Sequence, residues 1–455
     1  MKQIILVFCT ILFSFQLSAQ LDETTEKVYR DSIQSLTQKI EELKAFPSAV
    51  ADYYLKRADL YLKLSAYDKA LKDCEIGLGQ EVMEDVFYNI QGQVYFKMNS
   101  FIKMTESYTN AIKHNPESYY YLRRGEAYYY LRAPSFAERD IDKYLIDNLE
   151  ISEGVHILYG MVLTDLGKYL EAMKAFKKAN EINQNNVALQ MKLGKLYEEM
   201  NMSKVAIDAY AKAHNLAPES HGKDAICLIY HLKNKEDSAA IYCDWEEYSM
   251  KKQAELYGTL ASKLLDEDEY ERALVIVNKA ISMDNTNVDF YNIRGLIYIR
   301  MENFEAAKKD YEQAERLTAV NPYILDNNRG YLNMMQGKYE EAIIEFEKCI
   351  EVQPYFPNAH NNKALCHLEL KQLDEAKKYA RNAKILHETN EYIYFTYAGI
   401  AAYEGNDKAF YKQLKTAVKK GFPLQYFDYF SFLDTYKSDS KYQKLLEQSK
   451  EKNKI

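Results

Sequence analysis

Small residues return along this chain at an almost constant interval of about 34 residues: Ala58, Gly92, Gly125, Gly160, Gly194, then Ala261, Gly295, Gly330, Ala364 and Ala398. A second small residue follows in most units, at Ala70, Ala137, Ala172, Ala206, Ala240, Ala273, Ala307, Ala342 and Ala376, and a third near Ala111, Ala179, Ala213, Ala280, Ala314 and Ala383. Aromatic residues are set between them, as Tyr61, Tyr95, Tyr128, Tyr197 and Tyr298 after the first and Tyr108, Phe176, Tyr210, Tyr311 and Phe346 after the second. Spacings of three, four and seven put such residues on one face of a helix. Each unit therefore reads as two antiparallel helices that cross at the small residues, where a bulky side chain would hold the backbones apart. A chain with this period is a stack of short units, each packing mainly on its neighbours, and not a few globular domains.

The punctuation agrees with the period. Gly167-Lys168-Tyr169 and Gly337-Lys338-Tyr339 fall where a tight turn must join the two helices, and Asp284 to Asn287 where one unit passes to the next. Pro116, Pro218 and Pro354 each close a unit, because a missing N–H and a fixed φ stop the second helix. Residues 22–47, with Val28, Ile33, Leu36, Ile40 and Leu43, predict an amphipathic helix before the array. Beyond Gly421-Phe422-Pro423, the residues Tyr426, Phe430, Leu433, Tyr436, Tyr442 and Leu445 predict one or two capping helices.

The order small, Tyr, aromatic, Ala, aromatic, Ala, Pro resembles the tetratricopeptide repeat, most plainly over Gly160–Gln184, Gly194–Pro218 and Gly330–Pro354. Eleven units fit, beginning near residues 51, 85, 118, 153, 187, 221, 254, 288, 323, 357 and 391. The Trp usual near the start of a unit is replaced by Tyr54, Tyr88, Tyr121, Tyr291 and His360. The resemblance implies an all-α, right-handed superhelical solenoid with capping helices. The expected divisions are a leader over 1–19, a helix over 20–50, units one to five over 51–220, a degenerate unit six over 221–253, units seven to eleven over 254–422 and a cap over 423–455. Unit six departs furthest, with Leu228, Asp237, Asp244 and Glu247 at positions that should be small or apolar, and reads as a joint.

The first residues predict export. Met1-Lys2 is a short positive start, Ile4 to Phe15 an apolar stretch, and Leu17-Ser18-Ala19-Gln20 a small-residue cleavage site, cut after Ala19. The expected location is the periplasm or envelope of a bacterium, with no membrane-spanning segment in the mature chain. Five cysteines would remain, Cys74, Cys227, Cys243, Cys349 and Cys366. Cys227 with Cys243, or Cys349 with Cys366, lie near enough to pair if they occupy neighbouring helices; the alternative is that all five are small buried hydrophobes.

A formal charge of −8 argues against a nucleic-acid partner, since phosphate neutralisation needs a basic surface. No phosphate-cradling glycine loop, dinucleotide fingerprint, zinc-protease helix or nucleophile elbow occurs, so neither an enzyme nor a cofactor is expected. His221, Cys227, His231 and Cys243 form the one metal-like set, at a spacing that matches no standard zinc module, and no metal site is assigned. His360 and His367 sit at aromatic core positions of unit ten and read as packing residues.

In the family this chain resembles, the first helix of each unit lines a concave groove that takes peptide or protein partners. Asn292, Asn327 and Asn361 share one repeat position, and Asn328 and Asn362 the next; such amides can donate to a carbonyl and accept from an N–H, holding a peptide main chain. Tyr331, Met334, Tyr392 and Phe395 would add apolar contacts. A second candidate surface is Tyr119, Arg123, Tyr129 and Tyr130 in unit three, since aromatic residues beside an Arg often anchor partners. The basic and amide clamp that chaperone-binding members use for a terminal carboxylate is absent, with Leu55, Asp59 and Ile90 where it would begin. The sequence thus predicts a non-catalytic protein-binding scaffold. The rival is a carbohydrate-binding or accessory subunit of an envelope polysaccharide assembly, whose tyrosines would stack on sugar rings.

Overall fold

The structure, a computed structural model, describes residues 22–43, 45–243, 245, 248–318 and 323–452. The leader expected over 1–19, and Asp244 and Glu247 of unit six, lie outside the described residues. A leading helix α1 (Glu23–Leu43) buries Ile40 and leaves Val28 exposed. Eleven helix-turn-helix repeats follow. Repeats one to four are α2 (Pro47–Lys63) with α3 (Tyr67–Leu78), α4 (Glu84–Lys97) with α5 (Phe101–His114), α6 (Ser118–Tyr130) with α7 (Pro134–Asp147), and α8 (Glu153–Asp165) with α9 (Tyr169–Ile182). Repeats five to eight are α10 (Val187–Glu199) with α11 (Ser203–Leu216), α12 (Gly222–Leu232) with α13 (Glu236–Tyr242), α14 (Met250–Asp266) with α15 (Tyr270–Met283), and α16 (Val288–Arg300) with α17 (Phe304–Leu317). Repeats nine to eleven are α18 (Tyr323–Met335) with α19 (Tyr339–Val352), α20 (Pro357–Glu369) with α21 (Leu373–Leu386), and α22 (Glu391–Tyr403) with α23 (Asp407–Lys419). A last helix, α24 (Ser440–Lys452), packs on α23. Among the described residues no helix is long and apolar enough to cross a membrane.

The chain divides into two compact arrays, one ending at Val162 and the other beginning at Leu163, inside α8. In each array the first helices of neighbouring repeats touch directly, α2 with α4, and α14, α16, α18, α20 and α22 in series. The first helices therefore form the inner face of each array. Within the C-terminal array the turn of repeat four reaches the junction of repeats ten and eleven: Thr389 Oγ1 donates to the Leu166 carbonyl at 2.8 Å, and Lys168 Nζ lies 3.4 Å from Glu388 Oε1.

Every repeat turns between its helices through one residue with positive φ: Ser65, Asn99, Arg132, Gly167, Asn201, Asn234, Asp268, Glu302, Gly337, Lys371 and Gly405. The left-handed conformation turns the chain back within a few residues, and it is costly for side chains other than Gly and Asn. The crossing of the two helices repeats one contact in several units. A Cβ at Gly295 would fall 2.4 Å from the Tyr311 ring, at Gly194 2.4 Å from Tyr210, and at Gly330 2.6 Å from Phe346, so the glycines are what let the rings in.

Arginines explain part of the tyrosine load. Arg57, Arg124 and Arg294 occupy one repeat position and each grips an aspartate of the second helix, Asp73 at 2.7 Å, Asp140 at 2.7 Å and Asp310 at 2.6 Å. Each guanidinium also lies over two tyrosines of its own helix: Tyr54 and Tyr61, Tyr121 and Tyr128, Tyr291 and Tyr298, at 5.4 to 6.0 Å from the ring centres. Repeat ten replaces this set. Lys363 stands 4.0 Å over Tyr379, and His360 and His367 stack on that ring at 6.1 and 5.5 Å.

The structure decides three points that the sequence left open or placed differently. In repeat six the register runs one residue early, so Cys227 and not Leu228 holds the crossing position, and Ala239 is in the core while Ala240 is exposed. The turn residue there is Asn234, which starts α13 one residue sooner than the mean period. Cys227 bonds to Cys243, 16 positions on, where repeats two, five, eight and nine place an aromatic ring against glycine. Cys349 and Cys366 do not pair; both are free and buried, as is Cys74, whose thiol burial pushes up to about 12. Of the one or two capping helices expected over 423–455, one forms, α24, and residues 423–439 before it are an irregular segment with two single 3₁₀ turns, Leu424–Tyr426 and Ser431–Leu433.

Candidate partner-binding faces

The irregular segment runs along the inner face of the C-terminal array. Arg300, Met335, Glu369 and Tyr403 are the last residues of α16, α18, α20 and α22, and each meets it. The Arg300 guanidinium lies 5.4 Å over Tyr426 and 5.9 Å over Phe427. Tyr429 donates to Met335 Sδ at 2.9 Å, the Ser431 N–H donates to the Glu369 carboxylate at 3.1 Å, and the Tyr403 and Ser431 hydroxyls pair at 3.0 Å. Phe422, Phe427, Phe430 and Phe432 converge on Phe395, with ring centres at 4.4, 5.7, 5.7 and 5.3 Å. Ser449 of α24 ties the start of the segment down, accepting from the Leu424 N–H and donating to the Phe422 carbonyl. Going from Phe432 back to Tyr426, the segment steps from repeat eleven to repeat eight.

The asparagines expected to hold a partner lie on the first helices of the same array. Asn292, Asn327, Asn328 and Asn361 are all buried, and Asn362 is half-buried. Asn361 Oδ1 accepts from Thr396 Oγ1 at 2.7 Å, so this amide fastens α22 to α20. Asn292 Oδ1, Asn327 Oδ1, Asn328 Nδ2 and the Tyr331 hydroxyl are buried without a hydrogen-bond partner. Tyr331 and Met334 are buried on α18; Tyr392 and Phe395 hold Phe422, and burial raises the Tyr392 hydroxyl well above its usual range. What the sequence did not reveal is the occupant. Its signal was the run of aromatic residues from Phe422 to Tyr436, too dense for the solvent-facing side of a cap.

In the N-terminal array the inner face of α4 and α6 carries the second candidate group. Tyr119 is 41% exposed and Tyr130 37%, whereas Tyr129 is buried. Arg123 pairs with Glu126 and lies 5.2 Å over Phe96; burial pushes the Glu126 carboxyl up while Arg123 draws it back. Tyr130 stacks on Phe101 at 4.5 Å and meets Tyr129 edge-on at 5.7 Å. Asn89 and Gln93, one helical turn apart on α4 and joined at 3.2 Å, extend the same face. Asn89 occupies the repeat position of Asn292, three residues before the small residue of its unit. The result is a rigid aromatic shelf with two exposed rings and a guanidinium held in place beside them.

The metal-like set does not assemble as four ligands. His221 Nδ1 is 2.8 Å from Asp224, whose carboxyl, despite its burial, is held well below the usual carboxylate range by His221, Lys252 and Tyr248. Cys227, His231 and Cys243 do come together, with His231 Nε2 3.4 Å from Cys243 Sγ, but both sulfurs are spent in the disulfide.

Comparison with known proteins decides the kind of repeat. Models described as TPR repeat and tetratricopeptide repeat match residues 160–201, 288–321, 327–356 and 345–378. The chain contains tetratricopeptide repeats. It is 23% identical over 419 residues to a TPR repeat-containing protein of Methanocaldococcus jannaschii, covering 83% of this chain and 70% of that one. It is 30% identical over 123 residues to serine/threonine-protein phosphatase 5 of Homo sapiens, but spans only 24% of that protein's length. Among solved structures it is similar to yeast Tom70, with a TM-score of 0.43 at 16% identity, covering 88% of this chain and 99% of that one. Tetratricopeptide repeats are protein-interaction modules and typically non-catalytic, so the chain is a protein–protein interaction scaffold.

Proposed function

We propose that this tetratricopeptide protein is an exported scaffold of the bacterial envelope that binds a peptide or an irregular protein segment on its inner faces. The observation that carries this reading is the packing of residues 422–432: the inner face of repeats eight to eleven takes an irregular peptide through one contact per repeat, at Arg300, Met335, Glu369 and Tyr403. A solenoid presents that same position at regular intervals, which suits a peptide backbone. The N-terminal shelf offers Tyr119, Tyr130 and Arg123 to a partner directly. Export rests on the leader-like residues 1–19.

The test is a crosslinked pull-down from envelope fractions with the chain from Gln20 onward, run beside a Tyr119→Ala, Tyr130→Ala variant. A specific protein whose capture falls in the variant supports the reading; loss of two aromatic anchors is worth roughly 2 kcal/mol or more, about thirty-fold in affinity. Enrichment of glycan instead of protein, lost with the same tyrosines, would replace it with the carbohydrate reading.

A further inference from the structure

We infer that the segment Phe422–Phe432 is an internal occupant of the peptide groove of repeats eight to eleven, and that this groove's external partner is an aromatic-rich, irregular segment that displaces it. The inference deepens the scaffold reading and rests on it. Three observations lead there. The segment does not extend the solenoid with another helix pair; it crosses four first helices in turn and meets the last residue of each, at Arg300, Met335, Glu369 and Tyr403. Its hold is mostly apolar, with four phenylalanines gathered on Phe395.

The third observation is what the segment leaves undone. Asn292 Oδ1, Asn327 Oδ1, Asn328 Nδ2 and the Tyr331 hydroxyl are buried without partners. Asn327 and Tyr331 are one turn apart on α18, and Asn292 lies two turns before Arg300 on α16, on two of the helices whose last residues the segment meets. A buried donor or acceptor without a partner bears its full desolvation cost. The internal segment therefore fills the groove without satisfying it. A partner that places aromatic side chains where Phe427, Phe430 and Phe432 sit, and main-chain N–H and C=O groups against the amides, gains hydrogen bonds that the internal segment lacks. Such a partner exchanges for the segment instead of adding to it, and Ser449 keeps the segment's start anchored to α24 while the rest lifts.

The first measurement is native-state hydrogen exchange on the full protein. Amides of residues 424–432 are expected to exchange at least tenfold faster than those of α18 and α20; equal rates would make the segment part of the permanent core and overturn the inference. The second uses a labelled synthetic peptide of residues 421–436, titrated against wild type and against a Tyr429→Ala, Phe430→Ala variant. Binding at least tenfold tighter to the variant, and weakened again by adding Asn327→Ala, is expected; no binding to a variant whose helical content is intact would overturn the inference. If the peptide exchanges but no partner is found in the envelope, only the scaffold's location falls. If a partner binds wild type and variant alike, the scaffold stands and the groove exchange does not.

Discussion

Pairs of residues 16 positions apart do the same work in repeat after repeat. Gly194 with Tyr210, Gly295 with Tyr311 and Gly330 with Phe346 set the helix crossing, and Arg57 with Asp73, Arg124 with Asp140 and Arg294 with Asp310 lock it beside that contact. Gly330→Leu should drive a side chain into Phe346 and cost about 3 kcal/mol, seen as an early local transition in urea melts. Arg294→Ala strands Asp310, which is only 5% exposed at its side chain, and should cost about 3 kcal/mol. Double-mutant analysis with Asp310→Ala should recover part of that loss. The turn residues offer the opposite sign: Glu302 and Lys371 hold positive φ on the surface, so Glu302→Gly and Lys371→Gly should each stabilise by about 0.5 to 1 kcal/mol in the same melts. At this scale the small and aromatic positions were legible because burial forces their spacing. The Arg–Asp locks were not, since a charged residue on a helix reads as solvated until its partner on the second helix is placed.

Repeats six and ten show what happens when the shared pattern is replaced. In repeat six a covalent bond stands where glycine meets an aromatic ring, closing a loop of 16 residues. Reducing it should cost about 3 kcal/mol of local stability around α12 and α13, read as increased exchange there after treatment with a dithiol. In repeat ten two imidazoles and Lys363 surround Tyr379, and burial, with Lys363 nearby, lowers the affinity of His360 and His367 for protons. The unfolded chain takes up these protons first, near pH 6.5, so their contribution is whole above that value and is lost as pH falls through the folded values. Melts at pH 8 and pH 5.5 should show a steeper acid loss in wild type than in His367→Phe; equal slopes would contradict it. The helix pairs could be read from period alone. The single-residue shift in repeat six could not, because only Asn234 in the left-handed turn marks it.

Taken together, the repeats form two arrays whose first helices make inner faces, one displaying an aromatic shelf around Arg123 and one filled by the chain's own aromatic segment. The candidate residues were legible as a class, because repeat position fixes which helix face they share. Their state was not, because whether Asn327 meets solvent, a partner or residues 424–433 depends on a segment about a hundred positions away in the sequence. The most direct test of the central claim, that partners bind the inner faces, is site-specific photocrosslinking in the cells of origin. A benzophenone residue at Tyr119 should give a discrete protein adduct, while the same probe at the exposed second-helix positions Val275 and Ile344 should give none. Adducts at Val275 or Ile344 with none at Tyr119 would contradict the account.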